Sequence, residues 1–192
     1  MWSETLRWAL RKYYDVEVGI CSYGPCLLPG RLPPGTRVGS YCSFAEGITV
    51  LRRNHPIDRI SQHPLFFNHR VGLLSKDNIH SIQDNPLSIG NDVWIGHGVI
   101  IAPSCKAIGD SSIIASGAVV TKDVPGFCIA GGVPARKLRD RLSQELQREI
   151  SELRWWDRDV ARLAESLPEF TKPVSSETIA TLRERWSASR QK

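Results

Sequence analysis

Residues 87–136, LSIGNDVWIGHGVIIAPSCKAIGDSSIIASGAVVTKDVPGFCIAGGVPAR, decide the fold. A branched aliphatic is followed at once by a short residue at Ile89-Gly90, Ile95-Gly96, Ile101-Ala102, Ile108-Gly109, Ile114-Ala115 and Val120-Thr121, every six positions apart from one seven-residue step. An amphipathic helix repeats near 3.6 residues and a half-buried strand near two, while a sandwich would space its turns at about 8 to 12. A six-residue period is instead a signature of β-helices. Each six then supplies one short strand and one corner. The aliphatic points inward, the small residue sits where the chain bends, and the next coil repeats both demands directly above.

Toward the N-terminus, Ile20, Cys26, Leu32, Val38, Phe44 and Val50 keep the six-residue spacing, although only Val38-Gly39 and Phe44-Ala45 have the small follower. The period stops after Val50 and resumes at Leu87 or Ile89. The interruption, an inserted loop over 52–86, is too long for an ordinary connection and is expected to be functional. It holds Phe66, Phe67 and four of the five histidines, His55, His63, His69 and His80. The seven-residue step across PSCKA implies a bulge that projects Lys106 or Cys105 outward.

Residues 3–14 are predicted as a helix capped by Ser3, with Leu6, Trp8, Ala9, Leu10 and Tyr13 on its apolar face, lidding one end of the β-helix. Beyond Arg136 the spacing turns helical. Leu138, Leu142, Leu146, Ile150, Leu153, Val160, Leu163 and Leu167 step by threes and fours, which predicts an amphipathic helix or kinked pair over 138–167, ended by Pro168 and Pro173. A weaker helix is expected from Ser176 to Trp186. The organisation is therefore a mainly β chain: a β-helix domain over 1–136 carrying the N-terminal helix and the loop, then a C-terminal helical extension over 137–192.

A net charge of +5 and a pI near 9.1 suit an anionic small ligand, but no block of five like charges marks a nucleic-acid arm. The five cysteines form no C-x-x-C pair and their odd number argues against a disulfide framework. No apolar run reaches membrane length, and Glu4, Arg7, Arg11 and Lys12 stand where a signal peptide needs an apolar block, so a cytoplasmic protein is expected.

The quoted stretch resembles the hexapeptide-repeat acyltransferases, because WIG, VVTKDVP and GGVPAR occur together in that family's order. LRWWDRD, at 153–159, is similar to the tail of the xenobiotic branch, which includes chloramphenicol and streptogramin acetylating enzymes. The resemblance implies a left-handed parallel β-helix of triangular section, acetyl-CoA as acyl donor, and a homotrimer with active sites between adjacent prisms. It also implies that His55 in NHPIDRISQHPLFF is the general base, since the branch has a similar loop with Asn-His, an Asp three residues on, and a Pro-Phe segment; Asn54, His55, Asp58 and Pro64 to Phe66 fit that layout. The chemistry needs such a group, because an alcohol is a poor nucleophile near neutral pH and an imidazole can take its proton. Asp58 either orients the base or stabilises a turn.

By the same resemblance Ser116, Thr121, Lys122, Arg136 and Arg139 fall on the family's CoA-binding positions, where cations meet the 3'-phosphate and pyrophosphate. His97 stands where the family often has a small residue after WIG. Trp94 precedes Ile95 and should point outward, to be covered by a neighbouring subunit or the ligand.

The expected function is acetyl transfer to a hydroxyl of a glycan or glycan precursor, with an antibiotic such as chloramphenicol or a streptogramin as the alternative acceptor. No metal, nucleic acid or membrane span is expected. The γ-class carbonic anhydrases share the fold but need three histidines on zinc, and the histidine gaps of 8, 6, 11 and 17 do not supply them. A non-catalytic scaffold would not require the Asn-His loop or the TKD and VPAR segments.

Overall fold

The computed structural model describes residues 2–82 and 84–188; Gln83 of the loop and the last four residues of the C-terminal extension lie outside the described residues. The chain divides into two compact units, 1–139 and 140–192.

The first unit is a parallel β-helix with three faces. Strands β1 (Glu17–Val18), β2 (Arg37–Val38), β5 (Ser88–Ile89) and β8 (Ala107–Ile108) form one sheet. Strands β3 (Ser43–Phe44), β6 (Trp94–Ile95), β9 (Ile113–Ile114), β11 (Cys128–Gly132) and β12 (Ala135–Asp140) form the second, and β4 (Thr49–Val50), β7 (Ile100–Ile101) and β10 (Val119–Val120) the third. From β2 to β11 consecutive strands lie on different faces, and equivalent strands of successive coils pair in parallel, Val38 beside Ile89 and Ile89 beside Ile108. The second residue of each hexapeptide strand from β5 to β10 is almost fully buried, so Ile89, Ile95, Ile101, Ile108, Ile114 and Val120 stack into aliphatic ladders.

The corners explain the small followers. A Cβ on Gly39 would stand 2.6 Å from the carbonyl carbon of Gly90, and one on Gly109 would stand 2.3 Å from the backbone nitrogen of Gly126. At this corner the backbones of successive coils touch directly. Three residues beyond Val18, Val38, Ile89, Ile108 and Val124, and beyond Phe44, Ile95 and Ile114, the chain turns through a left-handed conformation. Gly47, Gly98 and Gly117 serve at one corner, while Cys21, Tyr41, Asp92, Ser111 and Phe127 accept the same φ at another. Side chains tie these corners between coils: Asn91 accepts from the Ser40 amide at 2.9 Å, and Asp110 accepts from the Asn91 amide at 2.6 Å.

Helix α1 (Glu4–Tyr14) closes the N-terminal end, with Ser3 Oγ accepting from the Leu6 amide and Leu10 buried among the core aliphatics. Trp8 and Tyr13, predicted on its apolar face, are exposed and stack edge-on against each other. The early register also differs from expectation. Ile20 is exposed, and Val16, Val18 and Cys21 are buried instead, because the first coil is irregular and carries a 3-10 turn over Pro25–Leu27. The extra residue after Ile101 projects Lys106, while Cys105 is buried.

The helical pattern predicted from 138 does not start there. Leu138 is exposed on β12, which neighbours β11, so the leucine spacing from 138 to 146 straddles two elements. In the second unit, α2 (Gln144–Leu153) is capped by Ser143, and short α3 (Val160–Glu165) and α4 (Leu167–Phe170) precede α5 (Ser176–Ala188). Pro168 lies in the first turn of α4 rather than ending a helix. Ile150, Leu153, Trp156, Ile179, Leu182 and Trp186 are buried, and the Trp186 indole donates to Ser166 Oγ at 3.0 Å. Among the described residues no helix is long and apolar enough to cross a membrane.

Candidate active site

The long loop leaves the prism after β4 and returns before β5. Its neck is closed by Arg52, only 5% exposed, whose guanidinium donates to the carbonyls of Asn85, Ala102, Pro103 and Cys105 and to Asn85 Oδ1. The Asn85 side-chain amide donates back to the carbonyls of Arg52 and Pro103, both at 2.9 Å. Burial lowers the guanidinium's proton affinity, and Cys105 and the Asp123 carboxylate offset this in part. Multiple carbonyl contacts are what make such a buried cation tolerable.

Within the loop His55 is exposed, and its Nδ1 lies 2.7 Å from the Gln62 carbonyl oxygen. A carbonyl can only accept, so Nδ1 carries the hydrogen and Nε2 of the neutral ring holds the free lone pair. That is the tautomer a general base requires. The ring stands edge-on to buried Phe67, centroids 5.1 Å apart, and the Arg53 guanidinium lies 5.9 Å from the other ring's centroid, over Phe67. Arg53 is fixed by Asp77 at 2.6 Å, which also accepts from the backbone and ring nitrogens of His69. Gln62, Phe67, Arg53 and Asp77 thus form the support of His55. Sequence reasoning assigned none of them, and the Phe66-Phe67 doublet was their one visible signal.

The orienting acceptor is therefore Gln62, and neither Asn54 nor Asp58 has a hydrogen bond to the imidazole. Asn54 and Asp58 instead line a cleft of about 750 Å³ between the loop and the prism corner at Pro103 and Lys106. His80 lines it too, whereas His63 accepts from the Leu65 amide at the start of a 3-10 turn over Pro64–Phe66. Trp94 does point outward, 54% exposed, between Ser43 and Ile113 on the second face.

Lys122 and Arg136 come together in a smaller cleft of about 160 Å³ at the end of the prism, joined by Lys137. Arg139, Ser116 and Thr121 do not line it: Arg139 is exposed on β12, Ser116 is an exposed corner residue close to Gly96, and the Thr121 carbonyl accepts from Ser104 Oγ. The two clefts share no residue, and His55 lines neither.

All five cysteines are buried. Burial pushes the Cys26 thiol up to about 12 and those of Cys42 and Cys105 up to about 11, which removes them as thiolate nucleophiles near neutral pH. No cluster of metal-binding side chains is found among the described residues.

Hydrogen bonds from the His69 amide first, then from its ring and from Arg53, hold the Asp77 carboxyl well below the usual carboxylate range. A depressed folded-state pKa means that Asp77 contributes its full stabilisation above the ordinary carboxylate value and loses it as pH falls through the folded one. Loop amides are accordingly expected to lose hydrogen-exchange protection below about pH 4, before the prism amides do. Simultaneous loss in both regions would contradict this.

No family model matches the chain. It is 33% identical over 152 residues to a chloramphenicol acetyltransferase of Escherichia coli, covering 78% of this chain and 70% of that one. It is 51% identical over 55 residues to the galactoside O-acetyltransferase of Escherichia coli, covering 29% and 27%. Among solved structures, a hexapeptide-repeat-containing acetyltransferase from Vibrio cholerae aligns at 23% identity with a TM-score of 0.48, over 67% of this chain and 64% of that one.

Proposed function

The chain belongs to the hexapeptide-repeat acetyltransferases, and from that premise we propose that it moves an acetyl group from acetyl-CoA to an acceptor hydroxyl with His55 as the general base. The observation that carries the proposal is the Gln62 carbonyl on His55 Nδ1, which leaves Nε2 free to take a proton. As the acceptor oxygen attacks the thioester carbonyl, Nε2 accepts its proton. The new C–O bond forms, the C–S bond breaks, and the imidazolium returns the proton to the departing thiolate. No acyl-enzyme is needed, in keeping with the raised thiol pKa values of buried Cys26, Cys42 and Cys105.

The left-handed wind of the family is part of the reading, as is a homotrimer in which His55 of one prism meets the CoA groove of the next. Two features support the trimer: outward-facing Trp94, and the separation of His55 from the Lys122 cleft within one chain. Light scattering at micromolar concentration should return three times the chain mass; a monomer would remove the inter-subunit site.

Lys122, Arg136 and Lys137 give the small cleft the cations that the donor's phosphates need. Reversing the charge at Lys122 or Arg136 should raise KM for acetyl-CoA by roughly tenfold or more with little change in the acceptor's KM, because phosphate contacts supply binding rather than transition-state selectivity. Unchanged donor KM in both variants would displace the donor from this cleft. The chain-wide match to a chloramphenicol acetyltransferase supports a xenobiotic hydroxyl as acceptor, and the shorter galactoside match supports a sugar hydroxyl.

A further inference from the structure

The cleft lined by Asn54 and Asp58 carries charge that the transfer chemistry does not use. Four cations line it, Arg52, Arg53, Arg59 and Lys106, against two carboxylates, Asp58 and Asp84. Among the described residues only Arg53 of these four forms an ion pair with a carboxylate, and that one, Asp77, is shared with His69. Arg59 is held by the side-chain and backbone oxygens of Asn78, at 2.6 and 2.9 Å, and the Lys106 ammonium rests on Asn85 Oδ1. Arg52 is spent on carbonyls and on Asn85. Neutral oxygens orient a cation without cancelling its charge. In addition, Arg53 Nε is buried with no hydrogen-bond acceptor. Asp84 is already engaged by the Ser81 amide at 2.7 Å.

Arg59 and Lys106, whose side-chain hydrogen-bond partners among the described residues are neutral oxygens alone, focus a positive potential into a recess with protein walls. The volume of about 750 Å³ suits a small molecule rather than a lone ion. Asn54, the chain neighbour of His55, lines the recess, although His55 itself does not. We propose that this cleft binds a carboxylate or phosphate monoester carried by the hydroxyl-bearing acceptor, so that the acceptor is an acidic small molecule. The inference takes its acceptor from the O-acetyl-transfer reading and adds a charge that neither a chloramphenicol-like nor a galactoside-like acceptor requires.

The test is calorimetric titration of the full chain with glucose, glucuronate and glucose 1-phosphate at low salt. At least one acidic sugar should bind about tenfold or more tightly than glucose, with an affinity that falls as salt rises, and the two acids show which anion is preferred. Arg59→Gln keeps an amide donor for Asn78 while removing the charge, and Lys106→Met removes an exposed charge. Each should narrow the gap between the acid and glucose by about fivefold. Equal affinity for all three sugars would overturn the inference, as would competitive displacement of the acidic sugar by CoA, which would assign the cations to the donor. Turnover separates the two readings. Acetylation of neutral hydroxyls with no preference for acids sinks the acidic-acceptor inference alone. Tight binding of the acid with no transfer to any hydroxyl keeps the anion site and sinks the O-acetyl-transfer reading.

Discussion

His55→Ala should lower kcat by roughly 10² to 10⁴ while leaving the affinity for CoA nearly unchanged. The imidazole is held by one backbone hydrogen bond and one aromatic edge, so its removal takes away the proton acceptor without disturbing the prism core. Activity in the wild type should also fall in acid, because a protonated imidazole cannot accept the acceptor's proton. Rapid mixing of enzyme with acetyl-CoA alone should give no burst of free thiol. A variant with wild-type turnover, or an acetylated enzyme in single-turnover mixing, would defeat the general-base assignment.

The largest effect on stability is expected at the corner where successive coils touch. A methyl group on Gly109 would lie 2.3 Å from the backbone nitrogen of Gly126 and 2.7 Å from its Cα, and neither atom can move without shifting a coil. Gly109→Ala should therefore cost roughly 3 kcal/mol or more. Gly117→Ala provides the comparison, since a Cβ there meets open space and only the φ of +71° is strained; that strain costs about 1–2 kcal/mol. Urea unfolding of both variants separates contact from conformation. Equal midpoints would show that coil spacing at this corner is not set by backbone contact.

The same corners show why the later coils were legible in the sequence and the first was not. From Ile89 to Val120 each inward aliphatic is followed by a residue small enough for the bend, and the structure buries every one of those aliphatics. Around Ile20 the six-residue arithmetic is accidental: the first coil is packed beneath α1 and bends through Cys21, so Val18 and not Ile20 enters the ladder beside Val38. The C-terminal boundary misleads for a related reason. Leu138 and Leu142 are four apart, as on a helix, yet a strand ends and a turn intervenes between them. Periodicity cannot separate a run that lies in one element from one that crosses two.

The site divides along the same line. His55 was visible because its neighbours in the chain form a recognisable string. Its supports were not, because the Gln62 carbonyl is a backbone group with no residue signature, and Asp77 reaches Arg53 across 24 positions of a loop that carries just a short 3-10 turn. Contacts between side chains far apart in an irregular loop leave no period to read.

The neck formed by Arg52 and Asn85 has a consequence beyond its own hydrogen bonds. Because the outgoing and returning ends of the loop are latched together at Arg52 and Asn85, the stacked coils treat more than thirty intervening residues as a single point on one edge. The insertion is a cassette mounted on an unbroken scaffold. Its length, composition and acceptor preference can diverge, or be exchanged by design, while each ladder below it keeps its register.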